Sequence, residues 1–308
     1  MPYVLFAATS LIWGMSFLLM RWAAALFNAP AVGAGRMLGG TLTLFAVWWA
    51  LRLAPGGGRP WSLRRRDLPA LGVVALVGTA LPWILQPHLI GTFQESGLFG
   101  MMVSLVPLLT AVVSVPMLKT RPTAKQAVGV ALGLAMLAVL FGDAVDARGV
   151  PVWAMALGVA VPLAYAVSNT WIKRRFSAAD PLLLSAAAMG MGLLVTLPAA
   201  RLRPDLVLPD AALTLKAVAA LTFLGVVGGG LAMWMFFKMI QLRGPLFASM
   251  VTYVVPGIAV LLGWLLEGER VTSPQLLALA GILLSVGLVQ WPATRQTHPD
   301  AEAPVDAQ

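Results

Sequence analysis

The sequence predicts an all-α membrane protein with ten transmembrane helices, arranged as two inverted five-helix repeats. Three observations lead to this fold class. The 308-residue chain is 59% hydrophobic and only 11% charged, whereas soluble domains carry about 25% charged residues. The chain contains ten apolar stretches, each close to the roughly 20 residues that a spanning helix needs. A proline-containing stretch also recurs about half a chain later, with polar residues in matching places.

The ten predicted spans follow one another with short separators that hold most of the charge. The clearest separator is the basic, Gly/Pro-rich loop 52–67. A large soluble domain would need charged helix faces, which most of these segments lack. The predicted spans are 3–21, 30–51, 68–90, 96–118, 124–142, 151–172, 181–200, 214–237, 245–266 and 272–291.

Lys and Arg are distributed unevenly between the two sides of this predicted arrangement. The even-numbered loops and the C-terminal tail hold fourteen of the 21 Lys and Arg residues, and the odd-numbered loops hold six. Basic loops favour the cytoplasmic side, so both termini are predicted to be cytoplasmic. The net charge of +9 has the same interpretation, and no nucleic-acid partner is expected. The polar tail, residues 294–308, is predicted to be disordered.

The composition also argues against several kinds of site. The absence of cysteine excludes disulfides and thiolate metal sites, and two histidines make a His-based metal cluster improbable. No HExxH, Walker P-loop or GxSxG motif is present, so neither a cofactor nor enzyme activity is predicted. The segment GVVGGG at 225–230 lies within a span, where glycines favour close helix packing over phosphate binding.

Polar residues recur at one offset and predict an internal repeat. At a spacing of 149 residues, Pro107 matches Pro256, Arg121 matches Arg270, Thr123 matches Thr272, and Gln126 matches Gln275. These matches divide the chain into two five-helix halves, 1–145 and 146–293. Because five is odd, the second half enters the membrane from the opposite side. Inverted repeats of this kind are common in secondary transporters with a site near the midplane.

The repeated prolines are predicted to border that site. Pro107 and Pro256 each remove a backbone hydrogen bond and free a carbonyl one turn earlier. Such a break is tolerated at membrane depth where it faces protein or a water-filled cavity. We therefore expect both helices to be bent beside a shared central space. The alternative is that the prolines only shape helix packing.

Several segments resemble the EamA family of the drug/metabolite transporter superfamily. They are LIWGMSFLLMRWA at 11–23, Arg36, Pro107, Pro256 and LLEGERVTSPQLLALAGILLSVGL at 265–288. The resemblance covers residues 1–292. It implies an inner-membrane carrier with a central cavity, often an exporter of amino acids, other metabolites or toxic small molecules. The family often has Glu at the end of the fourth helix of both halves. Here Glu269 fills that place in the second half, but Thr120 stands in the first.

Polar and aromatic residues near the midplane are predicted to line the substrate site. They lie on helices that the family uses for its cavity, and packing between helices is the alternative for each. Trp13 and Ser16 share one face of the first helix, and Ser168 matches Ser16 at an offset of 152. The predicted set is Trp13, Ser16, Trp83, Gln86, Ser104, Tyr165, Ser168, Asn169, Trp234, Thr252 and Tyr253.

Ionisable residues within or beside the spans give further predictions. Arg36, early in the second span, is predicted to bind substrate, for instance a carboxylate. It could equally reach the interface or cap carbonyls of a neighbouring helix. His88 and Glu95 suit proton coupling, with an exposed loop pair as the alternative. Glu267 and Glu269, beside Arg270, are expected to form a surface ion pair.

Together these features predict a secondary transporter that exports small metabolites, such as amino acids or related compounds, by alternating access. The expected partners are a small-molecule substrate and membrane lipids, with the protein as a monomer or homodimer. The alternatives are an importer, a carrier of drugs or nucleotide-sugars, an intramembrane enzyme, and a structural membrane subunit. An enzyme would need convergent acidic groups or histidines near one interface, and only His88 and Glu95 qualify.

Overall fold

The described part of the chain is built from α-helices with short π-helical and 3₁₀ turns. The computed structural model describes residues 2–54, 63–118, 123–147, 149–176, 179–201, 211–236, 238–239 and 251–290. No strand occurs among these residues. The predicted disordered tail and the start of the ninth predicted span lie outside them.

The helices of the first half form seven segments. These are α1 (Pro2–Ala24), α2 (Ala29–Leu53), α3 (Leu68–Ala75), α4 (Leu81–Phe93), α5 (Ser96–Met102), α6 (Val106–Leu118) and α7 (Ala124–Gly142). Among its described residues, the second half contributes α8 (Val152–Arg175), α9 (Pro181–Thr196), α10 (Ala211–Phe223), α11 (Val251–Glu267), α12 (Ser273–Gln290) and a helical stretch at 232–236. The π-helix Leu76–Ala80 joins α3 to α4, and the 3₁₀ turn Val103–Leu105 joins α5 to α6. The π-helix Leu224–Leu231 continues α10 into 232–236, and a third π-helix, Asp143–Ala147, follows α7.

The helical segments agree with an integral, multi-pass membrane protein. By length and composition, seven stretches of the described chain can cross a membrane. Two further apolar helices are shorter, Val254–Glu267 and Ser273–Ser285. The long helix α2, with 25 residues, is not among the seven. The all-helical fold class is therefore confirmed, whereas the count of ten spans and their inverted arrangement stay predictions.

Both halves carry a π-helix at a corresponding place. Leu76–Ala80 interrupts the third predicted span, and Leu224–Leu231 interrupts the eighth. Their central glycines, Gly78 and Gly228, stand 150 positions apart in the chain. A π-turn widens the helix and shifts its side chains, and such turns are frequent at functional sites. This structural match falls at nearly the same offset as the polar sequence repeat.

The packing between the two halves comes in matching pairs. Helix α1 packs on α11, and α8 packs on α6, which is the same pairing with the halves exchanged. The π-helix Leu224–Leu231 packs on α2, as α3 packs on α9. The remaining large contacts, α2 with α9 and α7 with α12, join corresponding helices directly. The core is thus formed mainly between the halves rather than within either one.

Asn28 fastens the start of α2 to the end of α9. Its Oδ1 accepts hydrogen bonds from the backbone N–H of Ala31 at 2.9 Å and of Arg201 at 3.1 Å. Its Nδ2 donates to the carbonyl of Ala199 at 2.9 Å. Asn is among the best residues at a helix N-cap because its side chain satisfies an otherwise unpaired N–H.

We expect the substitution Asn28→Ala to destabilise the protein by about 1–2 kcal/mol, since it removes this cap and the link to α9. Thermal unfolding of the detergent-solubilised protein measures the loss. Asn28→Asp is the matched control, because it keeps the acceptor for both N–H groups and removes only the Nδ2 donor. An equal loss in both variants would show that the cap contributes nothing.

Candidate functional site

A cluster of buried Arg36, buried Trp83 and half-buried Tyr165 lies where α2, α4 and α8 meet. The guanidinium of Arg36 stacks over the Trp83 ring, with 4.3 Å between its central carbon and the ring centroid. Tyr165 lies within hydrogen-bonding reach of the Trp83 side chain and close to Arg36. The Arg36 Nη1 donates to the sulfur of Met20 on α1 at 3.2 Å. Three of the predicted site residues are thus neighbours.

The π-helices Leu76–Ala80 and Leu224–Leu231 each place a glycine against a serine of the other half. A methyl group at Gly78 would overlap the Ser168 Oγ. A methyl group at Gly228 would lie 3.5 Å from the Ser16 Oγ. Trp13, one turn before Ser16, donates its indole N–H to the Gly228 carbonyl at 3.2 Å. Ser16 and Ser168, which the sequence repeat pairs, therefore make related contacts with paired glycines.

The predicted close packing of the GVVGGG segment is confirmed. A methyl group at Gly229 would lie 2.9 Å from the Arg36 carbonyl oxygen and 3.4 Å from the Trp83 ring. At Gly225 it would lie 2.8 Å from the carbonyl oxygen of Gly35. Small residues let the two backbones approach this closely, and the contact places the second half directly beside the Arg36–Trp83 pair.

The break that Pro107 predicts is present. The helix changes to a 3₁₀ turn at Val103–Leu105, and the Val106 N–H bonds to the Val103 carbonyl. That carbonyl is the one that Pro107, with no N–H, leaves free. Ser104 in the same turn is fully buried and donates its hydroxyl to the Met101 carbonyl at 2.6 Å. Here the break is satisfied by local backbone and side-chain bonds.

The other predicted site residues are spread more widely. Gln86 is buried on α4, one turn after Trp83. Pro256 is buried within α11, which runs as one α-helix from Val251 to Glu267, so the break expected at Pro256 does not interrupt the helix. Trp234 and Thr252 are half-buried, and Asn169 is exposed, so the structure does not bring Asn169 into the cluster. His88 is exposed on α4 and Glu95 is half-buried before α5. The side chain of Tyr253 lies outside the described residues.

Glu269 is held deeply at the end of the molecule that carries the odd-numbered loops, which we call the outer face. Its side chain is only 7% exposed and pairs with Arg21 at 3.1 Å. It accepts hydrogen bonds from the backbone N–H of Ser96 at 3.0 Å and of Gly97 at 2.9 Å. A carboxylate at a helix N-terminus is favoured by the helix dipole and by the unpaired N–H groups. Glu269 therefore caps α5 from the other half of the chain.

Glu267 extends this contact to two more helices. Its carboxylate lies 3.4 Å from the Arg21 Nε, and it accepts the Trp22 indole N–H at 2.6 Å. The Lys216 ammonium lies 4.0 Å from Glu267 and 4.0 Å from the centre of the Trp22 ring. We call Arg21, Trp22, Lys216, Glu267 and Glu269 the ion-pair network. It ties α1, α5, α10 and the end of α11 together at the outer face.

The expectation of a simple surface ion pair at Glu267 and Glu269 is therefore wrong. The partner Arg21 is 248 positions from Glu269 in the chain, so no local pattern indicates the pair. The signal that was available is Gly268, which has a positive φ of 65°. It turns the chain so that Glu269 points back into the protein, a conformation that favours glycine.

No group of three or more metal-ligating side chains occurs among the described residues. The site instead consists of close contacts between helices around the buried Arg36, with the ion-pair network at the outer face.

Comparison with known proteins decides the family. The profile of the EamA-like transporter family matches the chain twice, at residues 1–142 and 152–291. The chain belongs to the EamA-like transporter family. This family lies within the drug/metabolite transporter superfamily, as the sequence resemblance indicates.

Two relatives of this EamA-like protein span nearly its whole length. An "Uncharacterized transporter" of Archaeoglobus fulgidus is 22% identical over 293 residues, covering 93% of this chain and 98% of the relative. The "Uncharacterized transporter YoaV" of Bacillus subtilis is 22% identical over 285 residues, covering 91% and 93%. A protein of known crystal structure aligns with a TM-score of 0.64 at 17% identity, covering 93% of this chain and 94% of that one. The last likeness concerns the fold alone.

The contact between Gly78 and Ser168 gives a testable pair of substitutions. Gly78→Ala is expected to destabilise the EamA-like protein by about 1–3 kcal/mol, because the added methyl group overlaps a packed side chain. Adding Ser168→Gly leaves the Ser168 Cα 4.0 Å from the new methyl group, an ordinary contact. We therefore expect the double variant to be more stable than Gly78→Ala alone in thermal unfolding. Purely additive losses would contradict the contact.

Proposed function

We propose that this EamA-like transporter is a secondary carrier that exports small metabolites, such as amino acids or related compounds, by alternating access. The two halves, 1–145 and 146–293, are the two moving repeats. The observation that carries the proposal is the matching pair of contacts, Ser16 with Gly228 and Ser168 with Gly78. Each half uses the same elements against the other, and inverted halves supply two related shapes that open to opposite sides.

We assign the conformation of this structure to a state that is closed at the outer face. The ion-pair network joins four helices there. Ser16, Ser104 and Ser168 behind it are at most 3% exposed. In the sequence, Thr120 occupies the position in the first half that corresponds to Glu269 in the second half. The first half therefore has no carboxylate at this position. The ion-pair network is proposed to stabilise the closure of the outer face.

The uneven distribution of Lys and Arg between the loops supports the proposed orientation of the protein in the membrane. The loops of the outer face hold few basic residues, and the even-numbered loops hold most of them. By the positive-inside rule the outer face lies away from the cytoplasm, and both termini lie within it. The membrane is proposed to be the cell's inner membrane, because the family resemblance implies it.

Counterflow in vesicles tests the proposal. The purified protein is reconstituted without other subunits into liposomes loaded with unlabelled amino acids, and the uptake of each labelled amino acid is followed. A carrier exchanges substrate across the membrane without an energy source, so we expect internal substrate to accelerate uptake of at least one labelled compound. No acceleration by any amino acid, with the protein shown to be inserted and folded, would exclude this substrate group.

A further inference from the structure

Arg36 is a buried cation that has no acidic partner among the described residues. The residue is 5% exposed and lies on α2, about 10 Å along the helix from its first residue. The two carboxylates of the ion-pair network, Glu267 and Glu269, bind Arg21 instead. Arg36 thus differs from the half-buried Arg21, which pairs with both of these carboxylates.

Neither structural role considered for Arg36 is found. A side chain that reaches the interface would expose its guanidinium, and this one is enclosed. A side chain that caps a neighbouring helix would donate to carbonyls. Instead, Nη1 donates to the thioether of Met20 at 3.2 Å, and Nε has no hydrogen-bond partner within the described part of the chain. A thioether is a weak acceptor, so the hydrogen-bonding capacity of the guanidinium is largely unused.

A buried charge is unfavourable unless it is paired and hydrogen-bonded. The Trp83 ring at 4.3 Å offsets part of that cost through its π face. It cannot satisfy the N–H groups. The planar fork of guanidinium N–H donors matches the two oxygens of a carboxylate and binds them bidentately. A carboxylate therefore has the charge and the geometry that complement this guanidinium.

We propose that Arg36 binds the carboxylate of the transported substrate, and that Trp83 and Tyr165 contact the part next to it. This inference rests on the proposed function and narrows the substrate to small molecules with a free carboxylate. The Tyr165 hydroxyl supplies a second donor at the same place. The aromatic faces of the two residues suit an apolar or planar group beside the carboxylate. The corresponding amides and amines are expected to bind more weakly, because neither offers the two anionic oxygens that match the guanidinium.

The thermal stability of the purified protein tests this directly, with benzoate and benzamide as probes. The two molecules differ only in the carboxylate, and a ligand that binds the folded state raises the unfolding temperature with its concentration. We expect benzoate to raise the midpoint of the detergent-solubilised protein, with a dissociation constant at least tenfold lower than that of benzamide. Equal shifts, or no shift with benzoate, would overturn the proposal.

Substitution of Arg36 separates binding from structure. Arg36→Gln is expected to weaken benzoate binding at least tenfold while leaving the unfolding temperature without ligand unchanged or higher, since it removes an unpaired buried charge. Arg36→Lys keeps the charge but loses the bidentate fork, so we expect intermediate binding. A lower unfolding temperature for Arg36→Gln without ligand, together with unchanged benzoate binding, would assign Arg36 a structural role.

Failure of the Arg36 inference and failure of the proposed function give different results. Binding is measured at equilibrium in detergent, whereas counterflow is measured across a membrane. Counterflow of a compound without a carboxylate would contradict the Arg36 inference and leave the carrier function standing. Carboxylate binding that depends on Arg36, without counterflow of any amino acid, would support the site and exclude amino acids as the transported substrates.

Discussion

The substitution Glu269→Gln is expected to open the outer face of the protein. It leaves Arg21 without its closer carboxylate and removes the charge that caps α5. Breaking a largely buried ion pair by changing one partner costs about 3–5 kcal/mol. Because this energy stabilises one conformation over another, its loss shifts the population towards the state that is open at the outer face.

Accessibility of a cysteine behind the network measures this shift. The chain has no cysteine, so Ser104→Cys gives a single reporter. Ser104 lies eight residues beyond Ser96, about 12 Å deeper along the helix. We expect Glu269→Gln to raise its labelling rate from the outer side at least tenfold. Glu267→Gln is the matched control and should act less, because the Glu267 side chain is 17% exposed, against 7% for Glu269. Unchanged labelling in Glu269→Gln would show that the network does not hold this face closed.

The second large effect is expected at Gly229. A methyl group there would lie 2.9 Å from the Arg36 carbonyl oxygen and close to the Trp83 ring. The obstacle is backbone, so a change of rotamer cannot relieve it. We expect Gly229→Ala to cost about 1–3 kcal/mol through overpacking. It should also displace Arg36 and abolish counterflow.

Gly257→Ala is the matched control for Gly229→Ala. Gly257 follows Pro256 in α11, is exposed, and has no atom within 4 Å of an added methyl group. We expect this variant to keep its unfolding temperature and its counterflow, since alanine is also the better helix former. Equal losses in the two variants, measured in the same vesicles, would show that close packing at Gly229 is not required.

Much of the fold follows from patterns within single segments. Hydrophobic stretches of membrane length predict the helices, because the bilayer fixes how many apolar residues a span requires. Pro107 predicts a break, which is present as a 3₁₀ turn, because the chemistry of proline acts within one helical turn. The close packing of residues 225–230 follows from their small side chains. The π-helices Leu76–Ala80 and Leu224–Leu231 have no comparable signal in the sequence, because they depend on how neighbouring helices pack.

The site was less accessible to prediction, because its contacts join distant parts of the chain. The sequence identifies Arg36 as unusual but leaves its partner open, and only the three-dimensional structure shows that it stacks on Trp83. The role of Glu269 depends on Arg21 and on the N-terminus of α5, each more than 170 positions away. Asn169 shares a helix with Tyr165 and Ser168 but lies on the exposed face. A helical period alone does not say which face meets the centre.

Alternating access requires that the centre of the protein opens in turn to each side of the membrane. Single cysteines at Ser16, Ser104, Ser168 and Thr252, in separate variants, test it most directly with a membrane-impermeant thiol reagent applied from each side. We expect the buried serine positions to be labelled, and we expect their labelling to change with the side of addition and with added benzoate. Complete protection of all four positions from both sides, under all conditions, would contradict it and indicate a permanently packed core.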